Sequence, residues 1–144
     1  MRAFFVSLVL IGLTTAIPAA HAAGPVVVIV NSANQQALTE QDIKNIYSDI
    51  VTHWKNGKRI KLYNLPAEDD ARDSFSRAIF GVSTRVIMQE ENNRKITNSI
   101  KNPSKTKRAS LISTIVARDR NAIAYVYKDE LKNDKDIRIV LELN

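Results

Sequence analysis

Few side chains in this sequence have the type and spacing of a catalytic centre. There are two histidines, His21 and His53, and no cysteine. His21 lies at the end of an apolar leader, which leaves His53 as the imidazole of the working chain, beside Trp54 and shortly before Asn56-Gly57. One histidine with no cysteine and no ligand spacing does not make a zinc site. Serine nucleophiles lack a G-x-S-x-G setting and a base. Glu90 and Glu91 are adjacent, so on a helix they point to different faces and do not pair as acid and base. The sequence therefore reads as non-enzymatic, with no metal and no cofactor expected.

Reversible anion binding asks for less. Backbone N–H groups at a helix start, hydroxyls and one arginine can hold an oxyanion, because orphan donors and the helix dipole favour negative charge there. Ser32 follows the first strand, where α/β sheets usually present ligand contacts. Arg72 falls in the first turn of a helix and could offer a two-pronged fork. Asp69 and Asp70 stand at the same helix end, where they would occupy the free donors themselves and take Arg72 as an ion partner, the simpler of the two readings. Trp54, and Tyr125 with Tyr127 alternating along a strand, read as packing residues.

The leader is legible in the first two dozen residues. Arg2 gives a positive end, Ala3 to Ile17 an apolar run, Pro18 a stop, and Ala20-His21-Ala22 a small-x-small cleavage pattern. We expect residues 1–22 to be a cleaved signal peptide and 23–144 a single domain of about 122 residues. The apolar run falls short of the roughly 20 residues that span a bilayer, so no membrane insertion is expected after cleavage. Export without cysteine points to a bacterial periplasm.

The formal charge is +6. The densest basic stretch holds Lys101, Lys105, Lys107 and Arg108 without interleaved aromatics, so it reads as a solvated loop and not as a nucleic-acid surface. An attraction for small anions or acidic surfaces remains.

The elements follow from periodicity. Val26 to Val30 is a continuous β-branched run, as for a strand covered on both faces in a parallel or mixed sheet. Thr39 is placed to cap a helix carrying Ile43, Ile46 and Tyr47 on one face and ending near Ser48. Asn56-Gly57 turns the chain into a short strand with Ile60 and Leu62. Asp69 or Asp70 caps a helix with Phe75, Ala78 and Ile79 inward, which Gly81 ends; Ser83 opens another through about Arg94. Lys95 to Thr106 reads as a connection, Leu111 to Val116 as helix, and Ala122–Val126 and Ile137–Leu141 as strands. Alternating strands and helices predict an α/β three-layer sandwich with a mixed sheet.

Several of these residues, in order, carry a resemblance. Leu38-Thr39 with Asp42-Ile43 and Ile46-Tyr47, then Thr52-His53-Trp54 and a glycine turn, then Arg72-Asp73-Ser74-Phe75, and finally Val116 with Asn121-Ala122-Ile123-Ala124-Tyr125-Val126 follow one another over nearly the whole mature chain. This set resembles short, single-domain relatives of the phosphate ABC transporter substrate-binding proteins. The resemblance implies a reduced periplasmic-binding-protein-like domain of type II that binds phosphate or another small oxyanion. The candidate donors are Ser32, Arg72, and Thr39 or Ser74, and a membrane transporter or sensor would read the bound state. The sequence departs from the family at Asp49, Asn121 and Ala124, each in place of a glycine, and at Asp70-Ala71-Arg72, where full-length relatives carry Ser-Gly-Thr. These departures favour an alternative, a ligand-free interaction module that contacts a membrane receptor or envelope protein.

Overall fold

A computed structural model describes residues 24–132 and 135–144, so the expected signal peptide lies outside the described residues. The elements run β1 (Val26–Asn31), α1 (Glu40–Tyr47), β2 (Lys61–Asn64), α2 (Asp70–Phe80), α3 (Thr84–Ile96), β3 (Lys105–Thr106), α4 (Ala109–Arg118), β4 (Ala122–Tyr127), a 3-10 turn (Lys128–Glu130) and β5 (Ile137–Leu143). The strands form one sheet in the order β3-β2-β4-β1-β5. It is mixed: β1 runs antiparallel to β4 and β5, while β2 runs parallel to β3 and β4.

Two helical layers cover the sheet and make the expected sandwich. Tyr125 lies opposite Val28 in the β1–β4 ladder, three positions from Asn31, so these side chains occupy opposite faces. On one face Tyr125 stacks on Phe75 of α2, the ring centroids 3.9 Å apart, and Tyr47 of α1 tilts against both. On the other, the Asn31 amide donates to the carbonyls of Val116 and Ala117 at 2.9 Å, fastening the end of α4 to β1. With both faces covered, every residue of β1 is buried, as its unbroken β-branched text requires.

Local chemistry sets the helix ends. Thr39 and Asp42 form a reciprocal capping box at the start of α1, Asp69 caps α2 by accepting from the Ala71 N–H, and Gly81 ends α2 in the left-handed region at φ 73°. Ser83 occupies the N-cap of α3 without a side-chain bond. The stretch read as a connection contains β3, and β5 extends to Leu143.

β5 also carries an extra residue. Val28 faces Leu141 and Ile29 faces Ile139, so Val140 bulges out of the ladder. Asp49, at a position where the resembling family has glycine, sits in the left-handed region at φ 64°. Its carboxylate accepts the backbone N–H groups of Lys101 at 2.6 Å and Asn102 at 2.7 Å, a role no glycine could fill.

Candidate functional site: a basic cleft at one end of the sheet

The four sequence candidates separate into two pairs at opposite ends of the sheet. Ser32 and Thr39 bracket the loop that leaves β1, whereas Arg72 and Ser74 lie on the first turns of α2, beyond the other end of β2 and β4. Ser32 is half-buried and its N–H donates to the Asp136 carbonyl at 2.8 Å. Thr39 is exposed and caps α1, and the bonds it gives Asp42 hold that carboxyl below its ordinary value.

The loop between Ser32 and Thr39 is fixed by side chains drawn from afar. Arg138 of β5 donates to the carbonyls of Asn34 and Gln36, and the Gln36 side-chain oxygen accepts the Lys55 N–H at 3.1 Å. That second bond docks the Trp54–Lys58 turn, where Gly57 adopts φ 80° and the Trp54 N–H reaches the Lys58 carbonyl at 2.8 Å. Trp54 is buried, and its indole N–H donates to the Asn121 carbonyl at 3.0 Å, bringing the start of β4 alongside.

These three segments enclose a cleft of about 730 Å³ lined by Ala33 to Ala37, Trp54 to Asn56, Lys58, Arg120 and Asn121. Its charged residues are Lys55, Lys58 and Arg120; none of them forms an ion pair among the described residues, and no acid lines the walls. The Asn34 side-chain N–H group is buried there without a hydrogen-bond partner. Three unpaired cations, several side-chain amides and an unsatisfied donor suit an anionic ligand. Sequence reading missed Lys55, Lys58, Arg120 and Asn34, although the Lys-Asn-Gly-Lys turn and the Arg118-Asp119-Arg120 run before β4 are visible signals.

The α2 end has the opposite character. Glu68, Asp69, Asp70 and Asp73 line a depression of about 560 Å³ with Ser83, Thr84 and Arg85. Arg72 turns away from it, only 6% exposed, donating to the Leu65 carbonyl at 2.9 Å and pairing with Glu91 at 3.5 Å. The ion partner expected at Asp69 or Asp70 is therefore Glu91, because Asp69 is engaged in its cap and Arg72 points into the interior. Ser74 is exposed, its hydroxyl 3.2 Å from that of Tyr127. Asp73 accepts from the Thr84 N–H and from Arg77, which together hold its carboxyl below the ordinary value. Burial, followed by the charges of Asp69 and Asp129, raises that of Glu130.

His53 is exposed, with its Nδ1 2.8 Å from the Thr52 hydroxyl. Among the described residues no group of acids and histidines is placed to hold a metal, and no helix is long and apolar enough to cross a membrane.

Among solved structures the chain is similar to an ABC-type phosphate transport receptor from Vibrio cholerae, with 20% identity and a TM-score of 0.61 over 81% of this chain and 45% of the other. It is also similar to a candidate phosphate ABC transporter substrate-binding protein with bound phosphate from Clostridium perfringens, at 19% identity and a TM-score of 0.59 over 81% and 44%. A possible phosphate-binding protein from Planctomyces limnophilus gives 16% and 0.53 over 72% and 36%. The chain thus spans less than half the length of each. A search of curated protein sequences finds no match. The profile of the PBP superfamily domain matches residues 14–141, and with the sandwich described above this establishes that the chain belongs to that family.

Proposed function

We propose that this domain is an exported, non-catalytic solute-binding protein that takes a small phosphate-like oxyanion in the basic cleft. The observation that carries the reading is the wall of Lys55, Lys58 and Arg120, without ion pairs among the described residues and in a lining that contains no acid. The phosphate-associated names of the structural relatives support the ligand class. Ser32 and Thr39, which bracket the cleft loop, are the hydroxyls nearest to it in sequence. Binding would be reversible and read by a membrane transporter or sensor in the periplasm. Arg72 and Ser74 belong to the other end of the sheet, and Arg72 serves the fold there.

One observation favours a second reading, an interaction module without a ligand. At the α2 start, where the resembling full-length proteins carry Ser-Gly-Thr, Asp69 fills a free N–H with its own carboxylate and its acidic neighbours would repel an anion.

Calorimetric titration with phosphate, sulfate and simple carboxylates separates the two. The first reading expects saturable binding that adds about 2.7 kcal/mol of stability at a hundredfold excess over Kd. It fails if no anion binds, or if replacing Lys58 and Arg120 by alanine leaves binding unchanged.

A further inference from the structure

The corner where α1 ends and α3 ends exposes apolar side chains that the fold does not require. Ile96 is 83% exposed and Ile50 67%, with Val51 beside it at 37%. Isolated surface aliphatics need no explanation, but these belong to segments bonded into one unit. The Asp49 carboxylate holds the N–H groups of Lys101 and Asn102, and Arg94 donates to the Ser48 carbonyl at 3.1 Å. Asn45 accepts the N–H groups of both Ile50 and Val51, and Arg59 reaches the Asn102 side chain and the Lys101 carbonyl. The apolar tips are therefore presented in fixed positions by loops that pack on one another.

The surroundings are strongly basic. Between residues 44 and 60 Asp49 is the single acid, and between 94 and 108 there is none, while these segments carry Lys44, Arg59, Arg94, Lys95 and Lys101. Of the α3 acids that lie near the corner, Glu90 and Glu91, the second is paired with Arg72. Asp49 already accepts two backbone N–H groups, so its charge is partly spent within the corner. Exposed isoleucines on segments rich in lysine and arginine match the interfacial zone of a bilayer with anionic headgroups, which attracts each cation and receives the aliphatic tips.

We infer that this corner is a membrane-surface contact, seating the domain on an anionic lipid bilayer by insertion of Ile50 and Ile96 and by attraction of Arg59, Lys95 and Lys101 to the headgroups. The contact is separate from the anion cleft and stands whether or not the cleft binds a ligand.

Co-sedimentation of the purified chain with vesicles tests it, using phosphatidylglycerol mixed with phosphatidylcholine against phosphatidylcholine alone. The chain should partition onto the anionic vesicles only, and less so as salt rises. Lys101→Glu should weaken partitioning by more than about fivefold, the effect of one cation near such a surface. Ile50→Ser with Ile96→Ser should weaken it by at least about tenfold. Leu111→Ser, which replaces another half-exposed apolar residue on α4, should leave it unchanged. Circular dichroism melts show whether each variant is folded, and all these sites are exposed enough to keep the core intact. Equal binding to both vesicle types overturns the inference, as does a folded double serine variant that still partitions like the parent. Capture of an acidic protein through the same residues, with no vesicle binding, overturns it in favour of a protein surface.

Discussion

The two ends of the sheet handle charge in opposite ways. At the α2 end charges are consumed by the fold: Arg72 is buried against Glu91 and Leu65, Asp69 caps its helix, and Asp73 holds Thr84 and Arg77. At the other end Lys55, Lys58 and Arg120 stand around an open cleft with no ion partner among the described residues. Charge used internally stabilises and is spent, whereas charge left unpaired at a concave surface is available to a ligand. On this physical ground we propose the anion site at the cleft and not at the helix start that the family resemblance implied.

Substitution can break that contrast, and the largest effect is expected at Arg72. Arg72→Ala leaves Glu91 and the Leu65 carbonyl short of a buried partner and should cost about 3 kcal/mol in denaturant unfolding without changing anion affinity. A folded variant that has lost anion binding would return Arg72 to the ligand site. Asp49→Ala comes next. It strips the acceptor from the Lys101 and Asn102 N–H groups and keeps a left-handed backbone, for a loss of about 2 kcal/mol. Asp49→Gly relieves the backbone but not the lost bonds, so it should fall between the parent and the alanine variant.

Thr39→Ala removes half of the capping box and should cost about 1 kcal/mol by thermal or chemical melt, with anion affinity unchanged if the hydroxyl serves only the helix. At the cleft the expectation reverses. Lys58→Ala and Arg120→Ala should each alter stability by less than about 0.5 kcal/mol while visibly weakening the calorimetric anion signal.

The smallest effect is in acid. Asp42 and Asp73 both have folded pKa values held below the ordinary 3.8, Asp42 by the Thr39 bonds and Asp73 by Thr84 and Arg77. Their contribution is therefore complete above about pH 4 and is lost as pH falls through the depressed folded values. Asp73→Asn should flatten part of the decline in melting temperature below that pH.

What was legible in the sequence was local. The cap at Thr39, the stop at Gly81 and the covered strand from Val26 each depend on neighbouring residues, and each is found as expected. β3 escaped because two residues of polar text have no period, and only pairing with Tyr63 and Asn64 makes them a strand. Glu91 as the partner of Arg72 was hidden in the same way, since it depends on how α3 packs beside α2. The cleft was the least legible feature: the Lys55 and Arg120 segments are far apart in sequence and meet through the pairing of β2 with β4 and the bonds of the Trp54 indole and the Lys61 N–H to the Asn121 carbonyl.

The bulge at Val140 sets the phase in which the last residues of β5 are read. Upstream of it the Ile139 side chain sides with Ile29; downstream, Leu141 and Leu143 side with Val28 and Val26. Were Val140 instead drawn into the ladder opposite Val28 with the upstream pairing kept, Glu142 would come to lie opposite Val26 and the leucines would rotate to the other face. The outer edge of the sheet would also lose its kink, leaving a straight aliphatic rim open to end-on polymerisation of copies. A single extra residue thus keeps Leu143 in the core and Leu141 packed against it.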